Sequence, residues 1–159
     1  GKLSVDVPYL EEVCTASGPQ RDKRGWSISI LYLALLPMDR VNVAVGKKID
    51  ALQWVNPASI DAPLAFDHAE LLHKAMTRLR TKVERHALPL HMLPQKFTLS
   101  QLQKTCEIVL GRDLDKSVFR RRLKDSHSQD LVEVTGEMVR GVQRPAQLWR
   151  AADGFQFIE

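Results

Sequence analysis

The sequence has few of the residues that cross-links and metal sites require. Two cysteines occur among its 159 residues, at positions 14 and 106. They form no CxxC pair and are too few for a disulfide framework, which disfavours structural zinc and a secreted, disulfide-stapled scaffold. We expect each to be a small buried hydrophobic residue.

Long apolar runs are also missing. No stretch approaches the roughly 20 apolar residues that span a bilayer, and the first six residues lack the basic and then apolar layout of a signal peptide. The apolar content of 44% suffices to bury a core. The sequence therefore predicts a soluble cytoplasmic protein with no membrane partner.

Catalytic patterns are absent as well. Glu11 and Glu12 are an adjacent acidic pair typical of exposed surface, and His68 and His73 are spaced too poorly to share a zinc ion. Neither a phosphate-cradling glycine loop nor a Ser/His/Asp set can be identified. We predict no catalytic residue, no metal site and no cofactor in this chain, and hence no enzyme activity of the chain itself.

Positive charge is unevenly distributed. Residues 1–65 hold seven Lys/Arg and seven Asp/Glu, whereas residues 66–159 hold 16 and 12; within residues 112–124 there are six basic and two acidic residues. A local basic patch favours a polyanionic partner more strongly than the overall net charge of +4 does. The alternative is a helical packing module with an incidental basic face.

The first 88 residues are predicted to combine strands with one long helix. Residues 7–16 suggest a short helix, residues 17–25 a charged loop, and residues 26–36 a strand that enters a covered sheet. Residues 41–45 and 51–55 are weaker strand candidates. Residues 66–85 have the period of an amphipathic helix. Its expected buried face comprises Phe66, Ala69, Leu72, Met76, Leu79 and Val83.

Prolines at positions 89 and 94 stop this helix and suggest two domains, residues 1–88 and 89–159. In the second, Thr98 and Gln101 match a capping box, Gly111 is placed to end that helix, and Asp115 is placed to cap the next. Residues 131–135 and 147–150 are strand candidates, separated by a wing-sized loop at 136–146. The predicted class is α+β, with a winged helix-turn-helix at the C-terminal end.

The second helix of this pair has the pattern of a DNA-reading helix. An α-helix fits the major groove, and the planar fork of arginine matches guanine edges and phosphates. If Val118, Phe119 and Leu123 face inward, the outward residues are the candidate DNA contacts. These are Lys116, Ser117, Arg120, Arg121 and Lys124. Arg122 lies nearer the buried side and is a candidate partner for an acidic residue.

Further DNA contacts are predicted around this helix. Thr98, Ser100 and Gln101, at the start of the preceding helix, offer amides and small polar groups to a phosphate. Arg140 and Arg144 lie in the candidate wing.

Arg21, Asp22 and Arg24 are candidates for a ligand site in the first domain, because paired arginines beside a strand can hold a nucleotide phosphate. A surface turn that forms a salt bridge with the long helix is the alternative.

Three ordered sequence blocks resemble a known family. They are LPxxFTLxxLQ at 93–103, LGRxLDKxxFRR at 110–121 and RPAxLWR at 144–150. These resemble the C-terminal winged domain of the Nudix-related transcriptional regulators of NAD metabolism. Upstream, VPYLE at 7–11, RDKRG at 21–25 and DHAE at 67–70 are similar to the later part of that family's Nudix domain, so the first domain is expected to be a partial Nudix-like sheet with the long helix.

The resemblance implies a homodimeric repressor of NAD or pentose metabolism genes. It implies binding to double-stranded operator DNA, and control of the intact protein by a nucleotide effector such as ADP-ribose. Val118 stands where the family often has asparagine, which implies a different operator sequence or a different affinity for the operator. The chain also begins after the position of the Nudix helix, so we expect an N-terminal portion with the Nudix box to be missing from it.

Two other functions stay open at this point. The intact protein is alternatively a Nudix hydrolase of ADP-ribose or a dinucleotide, which needs a cluster of glutamates that binds magnesium. The winged domain is alternatively a protein-interaction module that does not bind nucleic acid.

Overall fold

The computed structural model of the chain describes residues 7–41, 53–60, 63–85, 89–123, 131–139 and 145–153. Contacts within it define two compact units, with the division between Leu79 and Arg80; the second unit also includes Pro37–Asp39. The division falls inside the long helix, whereas the sequence placed the domain limit at residues 88 and 89. The limits 1–88 and 89–159 stay a prediction, and each unit is described by itself.

The first unit contains an antiparallel hairpin. Strand β1 (Tyr9–Asp22) pairs with β2 (Gly25–Leu35) through a two-residue turn, with irregularities in register after Glu12 and after Gly18. The predictions of a helix at 7–16 and of a loop at 17–25 are therefore wrong outside the turn. Adjacent acidic residues such as Glu11 and Glu12 are typical of the surface of a helix. Here pairing with β2 holds this segment in an extended conformation instead.

Strand β2 leaves large apolar side chains exposed. Trp26, Ile28, Ile30 and Tyr32 are each more than half exposed, whereas Leu35 at the end of the strand is buried. Within the described residues the sheet has two strands. The expectation of a covered strand is therefore wrong for the face of β2 that carries these four exposed side chains.

Helix α1 (His68–Arg85) follows the predicted long helix closely. Its buried apolar residues are Leu71, Ala75, Leu79 and Val83, and Phe66 is exposed ahead of the helix. The buried stripe is therefore rotated from the predicted one. Lys82, a charged residue of the same helix, is buried as well.

The second unit has a three-stranded antiparallel sheet and two helices that lie between its first and second strands in chain order. Its elements in chain order are β3 (Phe97–Thr98), α2 (Leu99–Leu110), α3 (Lys116–Arg122), β4 (Val132–Val139) and β5 (Ala146–Ala151). The strand order is β3-β5-β4, with Trp149 of β5 opposite both Phe97 and Val134. Short 3-10 helices span Met38–Arg40 and Leu90–Met92. These elements confirm the α+β class.

The strands of the second unit are longer than predicted. Residues 136–139, expected to begin the wing, belong to β4. The strand passes through Gly136 at φ +79°, in the left-handed region that glycine adopts readily, between Val134 and Met138 where the register is irregular. The connection at 140–144 lies outside the described residues, as do residues 42–45 and 51–52 of the two weaker strand candidates. The remaining residues of those candidates, 41 and 53–55, are described and belong to no strand.

The core of the second unit comes from the end of α1, the segment that leads to β3, the helices α2 and α3, and β4, whereas β5 contributes no fully buried side chain. Its buried apolar residues include Val83, Leu90, Leu93, Phe97, Leu102, Cys106, Val109, Phe119, Leu123 and Val132. Cys106 is a buried hydrophobic residue, as predicted, and burial raises the pKa of its thiol to about 12. Cys14 is only partly buried.

Candidate nucleic-acid interface

Helix α3 begins at a strong cap. The carboxylate of Asp115 accepts hydrogen bonds from the backbone N–H groups of Ser117 and Val118, at 2.9 Å each. An N-cap of this kind satisfies amides that have no partner within the helix. The predicted cap is confirmed, and it fixes where the helix starts.

Two buried residues set the orientation of α3. Phe119 is 3% and Leu123 9% exposed. The predicted candidates Lys116, Ser117, Arg120 and Arg121 are all exposed on this helix. The structure thus brings four polar or basic side chains to the solvent side of one short helix.

Val118 is on the exposed side as well, with 53% of its surface accessible. The prediction that it faces inward is wrong. A helix of seven residues has about two turns, which are too few for the apolar periodicity to show which side is buried. The side that is buried carries Phe119 and Leu123.

The start of α2 has the predicted capping box. The Thr98 hydroxyl accepts the N–H of Gln101 at 3.2 Å, and the Gln101 side chain accepts the N–H of Thr98 at 2.8 Å. The side chains of Thr98 and Gln101 are therefore already engaged in the hydrogen bonds that cap α2. Ser100 is exposed beside them.

A cleft of about 510 Å³ joins the start of α2, α3 and β5. Thr98, Leu99 and Ser100 line one part, Lys116 and Arg120 a second. Residues 145–147 and Trp149 line the rest. Two cations and the amino-terminal end of a helix meet there, and both attract anions.

Arg122 has a different partner from the one predicted. Its guanidinium donates to the backbone carbonyl of Val83 at 2.5 Å, in the last turn of α1. Arg80 of α1 in turn donates to the carbonyl of Val109, in the last turn of α2, at 3.1 Å. Terminal helix carbonyls lack partners within the helix and favour cations. Both arginines thus cap a neighbouring helix, a long-range role that no local pattern in the sequence signals.

Three predicted contacts lie outside the described residues. They are Lys124, Arg140 and Arg144.

In the first unit, Arg21 is held by several partners. It binds both carboxylate oxygens of Asp67, at 2.5 and 3.1 Å, and also donates to the carbonyl of Ala16 and the hydroxyl of Ser29. Only 13% of its side chain is exposed. This hydrogen-bonded arginine lowers the pKa of Asp67.

Arg24 is much more accessible. Its guanidinium pairs with Asp22 at 2.6 Å, yet 83% of its side chain is exposed. The hydrogen bonds from Arg24 lower the pKa of Asp22 to about 2.

Among the described residues, no group of three or more His, Cys, Asp or Glu side chains is arranged to hold a metal ion. In the same part of the chain, no helix has the length and apolar content needed to cross a membrane.

Comparisons with known proteins agree with this architecture. The model of a family described as the NrtR DNA-binding winged helix domain matches residues 89–151. The chain is 40% identical over 152 residues to the ADPR responsive transcriptional repressor NtrR of Acinetobacter baylyi, covering 95% of this chain and 59% of that protein's length.

Solved structures are similar as well. One is the crystal structure of Shewanella oneidensis NrtR complexed with a 27mer DNA, at 34% identity and a TM-score of 0.79, covering 94% of this chain and 67% of that one. Another is a MutT/nudix family protein from Enterococcus faecalis, at 25% identity and a TM-score of 0.65, covering 89% and 61%. These findings confirm the resemblance drawn from the sequence: the chain belongs to the NrtR family of Nudix-related transcriptional regulators.

Proposed function

We propose that this chain binds double-stranded DNA in a sequence-specific manner as part of a transcriptional repressor. The observation that carries the proposal is the arrangement of α3, where Phe119 and Leu123 are buried while Lys116, Ser117, Arg120 and Arg121 are exposed together. A recognition helix of a helix-turn-helix needs this division between an anchored side and a polar side that enters the major groove.

The cleft between α2, α3 and β5 suggests that some cations of this surface bind a backbone phosphate and others bind base edges. Lys116 and Arg120 line it beside Thr98 and Ser100, so this part of the surface suits a backbone phosphate. Arg121 and Ser117 lie on α3 but do not line the cleft, and they are the candidates for base edges. Phosphate contacts position a protein on DNA, and base contacts give it specificity. Gln101, Lys124, Arg140 and Arg144 remain proposed DNA contacts.

The regulated genes and the effector are proposed from the family. The Acinetobacter relative is named as responsive to ADPR, and we assign ADP-ribose as effector and genes of NAD or pentose metabolism as targets. Of the candidate residues, Arg24 is the most accessible to a nucleotide phosphate, whereas Arg21 is occupied by Asp67. Asp22 holds Arg24 in place.

The protein is further proposed to act as a cytoplasmic homodimer. Dimers of helix-turn-helix proteins read two half-sites one helical turn or a multiple of it apart, so the operator should be palindromic.

Selection from a random double-stranded DNA library, followed by sequencing, tests the proposal. We expect enrichment of a palindrome that is bound at least a thousandfold more tightly than scrambled DNA at physiological salt. Equal and strongly salt-dependent binding to all sequences would contradict sequence-specific recognition.

Titration of ADP-ribose into the complex of the intact protein with the selected duplex then tests the effector. A change in the Kd that is reduced by Arg24→Gln is expected. No change would remove ADP-ribose from the account, and magnesium-dependent hydrolysis of the nucleotide would favour the hydrolase alternative.

A further inference from the structure

An apolar side chain lies among the polar and basic residues of the exposed side of α3. Val118 is 53% exposed, although the next residue, Phe119, is 3% exposed. Ser117 precedes it in the chain, and Arg121, three residues later, occupies the neighbouring position on the helix surface. Val118 is thus placed next to the two side chains proposed to meet base edges.

Neither packing nor helix stability accounts for a valine here. Its exposed side chain is not part of the core, and a β-branched residue lowers helix propensity relative to alanine or to long unbranched residues. Its backbone N–H bonds to the Asp115 cap, so the residue lies in the first turn of α3. The first turns of a recognition helix are the ones whose side chains reach base edges.

The chemistry of the valine side chain limits which groups of DNA it can recognise. The side chain has no hydrogen-bond donor or acceptor, so it matches neither a phosphate nor the polar groups of a base edge. The apolar group that a base pair presents in the major groove is the C5 methyl group of thymine. We propose that Val118 reads a thymine methyl group in each half-site, beside the hydrogen bonds made by Ser117 and Arg121.

This inference rests on the proposed DNA binding and specifies one base, a thymine in each half-site, that Val118 recognises. A methyl contact of this kind removes one methyl-sized group from water, which corresponds to an about fourfold change in the binding constant. Loss of the thymine methyl and loss of the valine side chain should therefore have similar effects, and the two losses together should cost little more than either alone.

The experiment uses the duplex obtained by selection and replaces its thymines by uracil, one symmetric pair of positions at a time. Uracil keeps every hydrogen-bonding group of thymine and lacks the methyl group. We expect one such pair to weaken binding of the natural chain about fourfold in each half-site. Val118→Ala should bind the thymine and uracil duplexes equally.

Ile108→Ala is the matched control, because Ile108 is also an exposed apolar residue but lies on α2. This variant should retain the full preference for thymine. Val118→Asn supplies a second readout: an asparagine amide pairs with the N6 and N7 groups of adenine, so a repeated selection should favour adenine at that position in place of thymine.

Two results overturn the inference in distinguishable ways. If the chain selects a sequence but uracil is tolerated at every position, or Val118→Ala keeps the preference for thymine, the role of Val118 is wrong while the proposed function stands. If no sequence is selected at all, the proposed function fails, and the inference fails with it.

Discussion

Glu107 of α2 holds the backbone of Leu114, at the turn that leads into α3. Its carboxylate accepts the N–H of Leu114 at 3.2 Å, and Gln103, one turn earlier, donates both to this carboxylate at 3.0 Å and to the carbonyl of Leu114 at 2.9 Å. Two side chains of one helix thus bind both polar groups of a single turn residue. The turn, and with it the start of α3, is fixed relative to α2.

Glu107 should therefore contribute stability that depends on pH. The hydrogen bonds from Gln103 and Leu114 lower its pKa, so the ionised carboxylate is favoured in the folded state. This contribution is present above the pKa of about 4.3 that an unperturbed glutamate has, and it is lost as the pH falls through the lower folded value. Glu107→Gln should remove that acid-dependent part, measured as the Tm between pH 3 and pH 7. An unchanged pH profile would contradict the role.

Gly111 ends α2 at φ +68° and ψ 24°, and a Cβ atom there would meet no atom within 4 Å. The cost of Gly111→Ala is then conformational alone. We expect a loss of about 1–2 kcal/mol in the free energy of unfolding, measured by urea denaturation. Gly111→Asn should lose less, because asparagine enters the left-handed region more readily; equal losses for both variants would contradict this account.

The sequence predicted features of this kind because their signals are local. The capping box of Thr98 and Gln101, the glycine at 111 and the cap at 115 each depend on residues a few positions apart, and each has the predicted geometry. The family motifs identified the winged domain for the same reason, because each motif is a short run of neighbouring residues.

Other features depend on residues distant in sequence, and these were mispredicted or missed. The conformation of residues 7–16 follows from pairing with β2, and the exposure of Val118 follows from which neighbours the core accepts. The partner of Arg122 is a carbonyl 39 residues away. A guanidinium can pair with any carbonyl of the chain, so its residue type alone does not specify its partner.

Arg122 should stabilise the second unit without contacting DNA. Its hydrogen bond to the Val83 carbonyl is charge-assisted, and Val83 is fully buried. We expect Arg122→Gln to lower the free energy of unfolding by about 1–3 kcal/mol. Cys106, whose buried thiol interacts electrostatically with Arg122, should react faster with a thiol reagent in the variant. A stable variant with an unreactive thiol would contradict the prediction.

Salt dependence separates this role from a phosphate contact. Loss of a phosphate contact reduces the slope of log K against log salt by about 1. Arg122→Gln should leave both this slope and the affinity of the folded variant nearly unchanged, whereas Lys116→Gln should reduce the slope.

The Arg21–Asp67 pair should give the first unit a separate dependence on acid. The bound guanidinium lowers the pKa of Asp67, so the ion pair stabilises the fold above the unperturbed pKa of about 3.9 and is lost as the pH falls through the lower folded value. Asp67→Asn should lower the Tm at pH 7 and have a smaller effect at pH 2.5. An equal loss at both pH values would show that the charge does not contribute.

Recognition of DNA by the exposed side of α3 is tested by the affinity of α3 variants for the selected duplex. Arg120→Ala with Arg121→Ala should raise the Kd at least thirtyfold, on the basis of about 1–3 kcal/mol for each contact. Lys74→Ala with Arg85→Ala removes the same charge from exposed positions of α1 and should change the Kd only slightly. Equal effects of the two double variants would contradict recognition of DNA by α3.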